Sequence, residues 1–372
     1  MSISKLRPFF DNDDIENILE KIRDILNGNS YLTMGKYGER FEEEFAKYNG
    51  NTYAVACNSG TSALEIICRS LDLSGYEVII PSNTFIATAN AIFGAGAKPV
   101  FADIGYDMSL DPKSVLENIT KRTKAIMTVH IGGYVSPTIY ELQEICNTRN
   151  LFLIEDAAQA HGTSLDGQKA GTFGIAAGFS FFPTKIITCG EGGIIVTNDE
   201  KIYEKSGSIR QFGKVGRGIY QNYSEYLGYN WRLPEISALL GIFQLKKITT
   251  FIKRRKEIGK QYTKHLTDID GIDLFEIANN VDFNYFKYIL FLNNRNRSEL
   301  HLKLKNKFRI ELSGYVYEIP LHKQPVLKIY ANGDYPISNA LCESHICLPL
   351  YYNLKDSDLV YIIDSLKESL SD

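Results

Sequence analysis

Short apolar runs that alternate with helical stretches are the feature that most constrains the fold of this chain. The runs occupy residues 53–57, 78–81, 99–102, 125–130, 151–155, 178–182 and 194–197. An apolar run without polar alternation is typical of a strand buried on both faces, and helices between such strands favour parallel pairing. We therefore predict an α/β fold in which helices cover both faces of a mainly parallel sheet.

The chain changes character near Thr249. A Lys- and Arg-rich helical stretch leads from there through a polar segment into an aromatic strand, which we expect at residues 283–292. We predict a large domain over residues 1–249, which includes an amphipathic N-terminal helix at residues 14–26, and a smaller C-terminal α+β domain over residues 250–372.

Composition and charge disfavour several classes of partner. The formal net charge of -3 on 372 residues gives no bulk electrostatic field that would attract nucleic acid or an acidic membrane surface. The first ten residues lack the pattern of a secretory signal, and the longest uncharged stretch, residues 78–97, is interrupted by Pro81 and Asn83. We expect a cytoplasmic protein with neither a nucleic-acid nor a membrane partner.

The cysteines suggest neither a disulfide framework nor a metal centre. Of the six, only Cys342 and Cys347 lie close together in sequence, which suits reduced thiols in a large cytosolic enzyme. These two and His345 superficially resemble a zinc site, but no second cluster of ligands accompanies them. We expect local packing there and no bound metal.

Lys185 lies between a short strand and a glycine-rich turn, within residues 179–193. A lysine buried at such a place has a lowered pKa and can act as an amine nucleophile toward an aldehyde. A solvated surface lysine is the alternative, and this segment alone leaves both interpretations open.

An acidic residue, Asp156, ends the apolar run of residues 151–155. An acid at the end of a strand can hold the ring nitrogen of a pyridine cofactor protonated. We favour Asp156 over Glu155 because adjacent side chains of a strand point to opposite faces, so only one of the two can face a shared site. Taken alone, Asp156 could equally be a metal ligand or a helix cap.

The turn at residues 58–62 joins a predicted strand to a predicted helix and contains Gly60, Thr61 and Ser62. Backbone N–H groups and hydroxyls at a helix N-terminus form a natural cradle for a phosphate group. An ordinary helix cap is the alternative, since Ser and Thr are common at caps.

In this order, the cradle, the acidic strand end and the lysine resemble the sugar aminotransferase family often called DegT/StrS. The resemblance runs through nearly the whole chain and includes residues 41–48, 81–88, 129–133, 155–162, 180–193, 228–232 and 317–322. It implies the fold of type I pyridoxal-phosphate (PLP) transferases and a PLP-dependent aminotransferase. A sister group of sugar dehydratases carries His where this chain has Lys185, so the resemblance favours transamination over dehydration.

The resemblance assigns roles around the cofactor ring. It implies that Lys185 holds PLP as a Schiff base and that Asp156 pairs with the pyridine nitrogen. Gln159 corresponds to an amide close to the ring and its 3-oxygen, and Phe85 to an aromatic residue that stacks on the outer ring face. Many relatives carry His at the position of Phe182, which puts any polar role there in doubt.

Further residues match the phosphate and substrate sites of the family. Gly60, Thr61 and Ser180 correspond to phosphate ligands, and Ser62 lies in the same turn. Asn230 corresponds to a residue that reaches the phosphate from the neighbouring subunit, which implies a homodimer with shared active sites. We name three candidate substrate contacts: Tyr317, His322 and Arg232, the last with a core or interface ion pair as its alternative. For His130 and His161 a structural role is the commoner case.

The resemblance implies a substrate pair and a pathway class. We expect an amino acid, L-glutamate, to donate its amino group to a keto-sugar, namely a nucleotide-linked 3-keto or 4-keto deoxysugar, in surface-polysaccharide (lipopolysaccharide) or amino-sugar biosynthesis. Amination of a cyclitol or a keto-acid sugar is one alternative. A non-catalytic regulator that keeps the fold is another, although the Lys185, Asp156 and Gln159 set disfavours it.

Overall fold

The computed structural model describes residues 3–216, 221–331 and 333–371. The strands are β1 (Tyr53–Cys57), β2 (Glu77–Pro81), β3 (Lys98–Ala102), β4 (Thr123–Val129), β5 (Phe152–Asp156), β6 (Ser164–Leu165), β7 (Gln168–Lys169), β8 (Ala176–Ser180), β9 (Gly193–Thr197), β10 (Ile272–Leu274), β11 (Val281–Asp282), β12 (Tyr288–Leu292) and β13 (His345–Leu348). The helices are α1 (Asn12–Asp24), α2 (Lys36–Asn49), α3 (Gly60–Ser70), α4 (Ile86–Gly94), α5 (Pro112–Asn118), α6 (Ile139–Arg149), α7 (Glu200–Ile209), α8 (Glu235–Leu266), α9 (Arg297–Asn306), α10 (Pro336–Ser344) and α11 (Asp356–Ser371).

The central sheet has seven strands in the order β1-β9-β8-β5-β4-β2-β3. The five strands from β8 to β3 pair in parallel, while β9 pairs antiparallel with both β8 and β1. Each of these seven strands corresponds to one of the predicted apolar runs to within two residues at either end. The structure therefore confirms the predicted α/β class with a mainly parallel sheet.

Helices cover both faces of this sheet. On one face, Phe41 and Phe45 of α2 pack edge to face against Phe181, with ring centroids 5.0 and 5.5 Å apart. On the other face, α3 and α4 contribute Ile67 and Ile92 to a second buried cluster. Burial on both faces explains why the strands are mainly apolar, with most of their polar residues at the strand ends.

Side-chain caps begin several helices, as the short polar residues before them favour. The capping side chains belong to Asp11, Ser59, Asp111, Asp199 and Asn296. The predicted helix at residues 14–26 is α1, which continues into a π-turn over Ile25–Asn29, where Gly28 departs from helical geometry with φ of 85°. Ser59 is the cap that bears on function, because it begins α3 at the edge of the sheet.

The C-terminal part has its own antiparallel sheet, in the order β10-β12-β13, with α9 and α11 packed around a shared core. Helix α8 links the two parts: it packs against α2, and its Tyr262 lies buried in the second core and donates to Pro349 O at 2.8 Å. The helix passes through Thr249 without a break. The predicted boundary therefore falls inside one helix, and the division into two domains at that residue stays a prediction.

The predicted aromatic strand at residues 283–292 begins only at Tyr288. Tyr285 has φ of 51°, and Asn284 Oδ1 accepts from Phe286 N at 2.8 Å, so the backbone turns before the strand starts. The Asn284 amide also donates to Gln159 O at 2.9 Å, which ties this turn to the loop after β5. This turn bears on function because it places Phe286 and Lys287 beside a cavity.

Within the described ranges, no helix combines the length and apolar character needed to cross a bilayer. The same residues contain no group of three or more His, Cys, Asp or Glu side chains placed to hold a metal ion. His345 donates from Nδ1 to Leu341 O at 2.7 Å and accepts at Nε2 from Val316 N at 2.8 Å, while Cys342 and Cys347 are buried. Both ring nitrogens of His345 therefore form hydrogen bonds with backbone groups nearby.

Candidate active site

A cavity of about 390 Å³ opens at the carboxyl ends of β1, β5 and β8. Because these strands point the same way, the loops that follow them meet at one edge of the sheet, where ligands of α/β folds bind. The predicted residues that line the cavity are Gly60, Thr61, Phe85, Asp156, Gln159, Ser180, Lys185 and Tyr317. Residues separated by more than two hundred positions in the sequence are therefore brought together.

Lys185 projects its amine into the cavity from the loop after β8. Burial lowers the pKa of Lys185 to about 8, Asp156 acts in the opposite direction, and the charge of Lys287 lowers it further. Its Nζ lies 5.2 Å from the centroid of the Phe286 ring. A substantial fraction of the amine is therefore neutral near physiological pH, as a nucleophile toward an aldehyde must be.

Asp156 ends β5 and is held by two hydrogen bonds. Its Oδ2 accepts from the Thr88 hydroxyl at 2.8 Å, and its Oδ1 accepts from Ala158 N at 3.2 Å. Burial raises the pKa of Asp156, and the bond from Thr88 and the charge of Lys185 oppose that rise. These bonds fix the orientation of the carboxyl group at the cavity wall.

Glu155 points to the other side of the sheet and does not line the cavity. It is fully buried and accepts from the backbone N–H groups of Gly171, Phe173 and Gly174, at 2.6, 2.8 and 2.7 Å. Its Oε2 also lies 2.8 Å from His130 Nε2. Glu155 and His130 therefore organise a loop on the far side, as strand alternation requires.

The turn before α3 forms part of the cavity wall. Ser59 Oγ accepts from Ser62 N at 3.1 Å, which caps the helix and leaves the N-terminus of α3 facing the cavity. A Cβ at Gly60 would lie 2.8 Å from Ser180 Cβ, so the cradle needs glycine there. Ser62 itself lies behind the wall, where its hydroxyl donates to Asn58 Oδ1 at 2.8 Å.

Gln159, Tyr317 and Phe85 form a connected group at the cavity. Gln159 Oε1 accepts from Gly132 N at 2.8 Å, and its Nε2 donates to the hydroxyl of Tyr317. The ring of Tyr317 stacks on Phe85, with centroids 5.9 Å apart and an interplanar angle of 27°. Burial, followed by the nearby charge of Asp156, raises the pKa of Tyr317, so its hydroxyl stays protonated. Phe85 is 56% exposed and offers a free ring face to a ligand.

Besides Ser62, three predicted residues lie outside the cavity of a single chain. Asn230 is exposed and pairs by a backbone bridge with Gln211. The Arg232 guanidinium lies 5.4 Å from the centroid of the Phe212 ring. His322 has its Nε2 3.0 Å from Asn339 Oδ1 and its ring stacked on that of Tyr335, so it serves local packing.

His161 packs among aromatic rings beneath the cavity. Its ring centroid lies 5.2 Å from that of Phe179 and 5.3 Å from that of Phe181. Burial, and then the charge of Lys185, lowers the pKa of His161 to about 3. The imidazole is therefore neutral near physiological pH.

Sequence reasoning missed several residues of this site. Thr88 orients Asp156, and Phe286, Lys287 and Tyr315 line the wall contributed by the C-terminal part. Lys287 had a visible signal, since it is the one charged residue inside the apolar and aromatic run at residues 285–292. Phe182 lines the cavity with 43% of its surface exposed. It offers an apolar surface at the position where many relatives carry His.

The residues fit PLP in three respects. A helix N-terminus with a glycine in close contact with Ser180 matches a phosphate group, a buried carboxyl matches a ring nitrogen, and a lysine with a lowered pKa matches an aldehyde. All three line one cavity.

Comparison with known proteins gives a consistent result. The sequence pattern of the DegT/DnrJ/EryC1/StrS aminotransferase family matches residues 12–367. The chain is 34% identical over 357 residues to GDP-perosamine synthase of Escherichia coli O157:H7, covering 95% of each protein. It is 32% identical over 361 residues to UDP-N-acetyl-3-dehydro-alpha-D-glucosamine 3-aminotransferase of Acidithiobacillus ferrooxidans, covering 95% of this chain and 94% of that one.

A solved structure agrees in fold and cofactor. NtdA from Bacillus subtilis, with bound cofactor PMP, superposes with a TM-score of 0.90 at 26% sequence identity, covering 99% of this chain and 86% of that chain.

Proposed function

The chain belongs to the DegT/DnrJ/EryC1/StrS aminotransferase family, and we propose that it moves an amino group from L-glutamate to a nucleotide-linked 3-keto or 4-keto sugar. It is a PLP-dependent enzyme, as its family and the cofactor of its structural relative indicate. The observation that carries the proposal is the convergence of Lys185, Asp156 and the turn before α3 on one cavity.

The N-terminus of α3, with Thr61 and Ser180, would hold the cofactor phosphate, and Asp156 would hold the proton on the ring nitrogen. When bound, PLP supplies an electron sink that stabilises the charge left when a proton leaves the carbon attached to the amine. Phe85 offers its free ring face as the stacking surface, and Gln159 places its amide beside the same space. Together these groups would fix the cofactor ring in one orientation.

Lys185 has two roles in this proposal. Its amine would hold the cofactor aldehyde between turnovers, and once the amino donor has freed it the same amine would carry a proton. It would take the proton from the donor α-carbon and deliver it to the cofactor 4′-carbon, and then reverse both steps with the keto-sugar. The lowered pKa suits this double role, because a group with a pKa of about 8 both accepts and releases protons near neutrality.

The acceptor is proposed from the relatives. One is named for a GDP-linked sugar and another for a UDP-linked one, so the nucleotide is left to experiment. Tyr317 lines the cavity beside Gln159 and is the best-placed of the predicted substrate contacts. His322 and Arg232 would contribute only if a second subunit brought them to a neighbouring site.

We propose a homodimer with shared active sites. Large apolar side chains are exposed on one chain at Tyr31, Leu32 and Leu227, with 76%, 63% and 84% of their surfaces accessible. A subunit interface over these segments would bury this apolar surface. Asn230 lies three residues after Leu227 and would cross with this segment to the partner's phosphate site.

A cytoplasmic location is supported by the thiols. All six cysteines lie within the described residues, where each is buried and unpaired. Free thiols in this number suit a reducing compartment.

The test is a half-reaction followed by a panel of acceptors. Purified protein loaded with PLP and mixed with L-glutamate should lose the absorbance of the PLP form and release 2-oxoglutarate. The product would then be offered GDP-, UDP- and dTDP-linked 3-keto and 4-keto sugars, with a cyclitol ketone and a keto-acid sugar in parallel. Amination of a nucleotide sugar, read by mass, supports the proposal, whereas amination of the cyclitol alone favours that alternative. A protein that binds PLP but transfers no amino group would favour a regulator.

A further inference from the structure

Lys287 is a second lysine of the cavity, and none of the proposed cofactor-binding roles involves it. It comes from the turn before β12 and lines the same space as Lys185 and Asp156. The C-terminal segments carry it, whereas the N-terminus of α3 carries the phosphate cradle. Lys287 and the groups that would hold the cofactor phosphate therefore come from different parts of the chain.

No acidic side chain in the described ranges forms an ion pair with Lys287. Its Nζ donates to the backbone oxygen of Ser313, which occupies one of three donors and offers no compensating charge. Burial lowers the pKa of Lys287, Arg255 and Lys5 lower it further, and only the Cys347 thiol acts against them. A partly buried cation among other cations is costly, and the cost falls when an anion binds beside it.

The cavity has two acidic side chains, and neither satisfies Lys287. Asp156 is engaged by Thr88 and Ala158, and would face the cofactor ring nitrogen. Glu191 is exposed at the cavity margin and forms no ion pair with Lys287. The unpaired charge therefore faces the space in which substrates react.

We propose that Lys287 binds a carboxylate of the amino donor and so selects amino acids over uncharged amines. The amines of Lys185 and Lys287 lie 5.2 and 5.5 Å from the centroid of the same Phe286 ring. The α-carboxylate of the donor is attached to the carbon whose proton Lys185 would take, so this anion would lie within reach of Lys287. This assignment rests on the proposed aminotransferase function and names the residue that recognises its donor.

Arg255 holds the turn that carries Lys287. Its buried guanidinium donates to Tyr285 O at 2.9 Å and to Phe286 O at 3.4 Å, the two backbone positions that precede Lys287. The turn that presents Lys287 is thus fastened to α8, and the charge of Arg255 adds to the positive field on this side of the cavity. A fixed cation is pre-organised for an anionic ligand.

The experiment uses the PLP-loaded enzyme and two neutral variants. Lys287→Met removes the charge and the hydrogen bond, whereas Lys287→Gln removes the charge and keeps an amide donor for Ser313 O. Lys287→Arg retains the charge. Lys169→Met is the matched control, because Lys169 is also partly buried, donates to one backbone oxygen, that of Tyr48, and lies outside the cavity.

Two readouts are combined for each protein. Equilibrium binding of α-methyl-L-glutamate, which has no α-proton to lose, reports donor affinity without turnover, and the half-reaction with L-glutamate reports the concentration for half-saturation. We expect both neutral variants to weaken binding about tenfold or more, as loss of a charged hydrogen bond predicts. The Lys287→Arg and Lys169→Met variants should stay close to wild type. Affinity for n-propylamine, which lacks a carboxylate, should not change in any variant.

Three results would overturn the assignment while wild type still reacts with L-glutamate. The first is unchanged donor affinity in both neutral variants, and the second is an equal loss of affinity for n-propylamine. The third is a loss of affinity confined to GDP, UDP or dTDP, which would indicate that Lys287 binds the phosphates of the acceptor. A wild-type protein that neither binds α-methyl-L-glutamate nor reacts with any amino acid overturns the proposed function and this assignment with it. An unchanged melting temperature and one bound PLP per chain at saturation show that a variant is folded.

Discussion

The hydroxyl of Thr88 donates to Asp156 Oδ2 at 2.8 Å, and this bond opposes the rise in the pKa of Asp156 that burial causes. Thr88 lies in the first turn of α4 and Asp156 at the end of β5, so the bond joins a helix and a strand of the site. It favours the charged carboxylate, which is the form that can hold a proton on the cofactor ring nitrogen.

Replacement of this hydroxyl should impair catalysis more than folding. In Thr88→Val the pKa of Asp156 rises, so the carboxylate is lost at a higher pH than in wild type. We expect the half-reaction with L-glutamate to slow about tenfold at neutral pH, because a hydrogen bond to a charged group contributes about 1.5–3 kcal/mol. Thr88→Ser keeps a hydroxyl and should recover most of the rate. Equal rates in Thr88→Val and wild type by stopped-flow absorbance would refute this role.

The amine of Lys185 should react with PLP at an unusually low pH. Burial lowers its pKa to about 8, so the rate at which the apo-protein takes up PLP should rise with pH and level off near that value. Lys287→Met removes a charge that lowers the pKa of Lys185, so the midpoint should move to higher pH. Lys169→Met should leave it unmoved. A midpoint near the ordinary value for lysine would show that Lys185 is solvated, the alternative that its sequence context left open.

Borohydride reduction of the loaded enzyme, followed by peptide mapping, tests the identity of the lysine in the same samples. The modified residue should be Lys185, and Lys185→Ala should take up no reducible cofactor. Modification at Lys287 instead would exchange the roles of the two lysines.

Glycine at position 60 should be required for cofactor affinity. A Cβ there would lie 2.8 Å from Ser180 Cβ and force the two cradle segments apart. We expect Gly60→Ala to bind PLP about tenfold more weakly, as the loss of one charged hydrogen bond to the phosphate would cause. Gly207→Ala is the control, since a Cβ at this α7 position meets nothing within 4 Å and alanine favours a helix. Fluorescence titration of PLP would detect the difference, and equal affinities would exclude a close contact at the cradle.

The central fold was predictable because burial on both faces leaves a plain apolar signature in each strand of the large sheet. The same logic placed Asp156 at the cavity and Glu155 away from it, since strand alternation settles which side chain faces which way. The start of β12 was not predictable from the aromatic run. There the backbone is turned by the hydrogen bonds of Asn284 to a distant loop, and no local pattern reveals a tertiary contact.

The site was only partly predictable for a related reason. Residues on loops that follow strands, such as Lys185 and Gly60, could be inferred because the sheet brings those loops together. The wall that contains Lys287 and Tyr315 comes from the C-terminal part, and its position depends on how that part packs along α8. His322 was expected at the cavity but lies beside Asn339, since the loop that carries it is held by contacts that its sequence does not specify.

Asp156→Asn should separate cofactor binding from catalysis. An amide can fill the same space, so PLP should still bind, but a neutral partner cannot hold the proton on the ring nitrogen. The half-reaction with L-glutamate should therefore fall by about two orders of magnitude, the size of a lost acid–base contribution. An unimpaired rate would point to another acid, although Glu155, the nearest in sequence, is committed to three backbone N–H groups on the far side of the sheet.

The last prediction concerns subunit sharing, which follows from where Asn230 lies. On one chain its side chain is exposed, its backbone is tied to Gln211, and it is outside the cavity, so any contact with a phosphate must be with a partner's site. Lys185→Ala and Asn230→Ala should each be inactive alone. Mixed and reassembled, they should form heterodimers in which one site carries both lesions and the other carries neither. Random pairing would restore about a quarter of wild-type activity.

Lys185→Ala mixed with Asp156→Asn is the matched control, because these two residues line the same cavity of one chain and every site of their heterodimer would keep a lesion. Persistent inactivity in heterodimers proven by mass, or full activity in a monomer, would show that each chain builds its site alone.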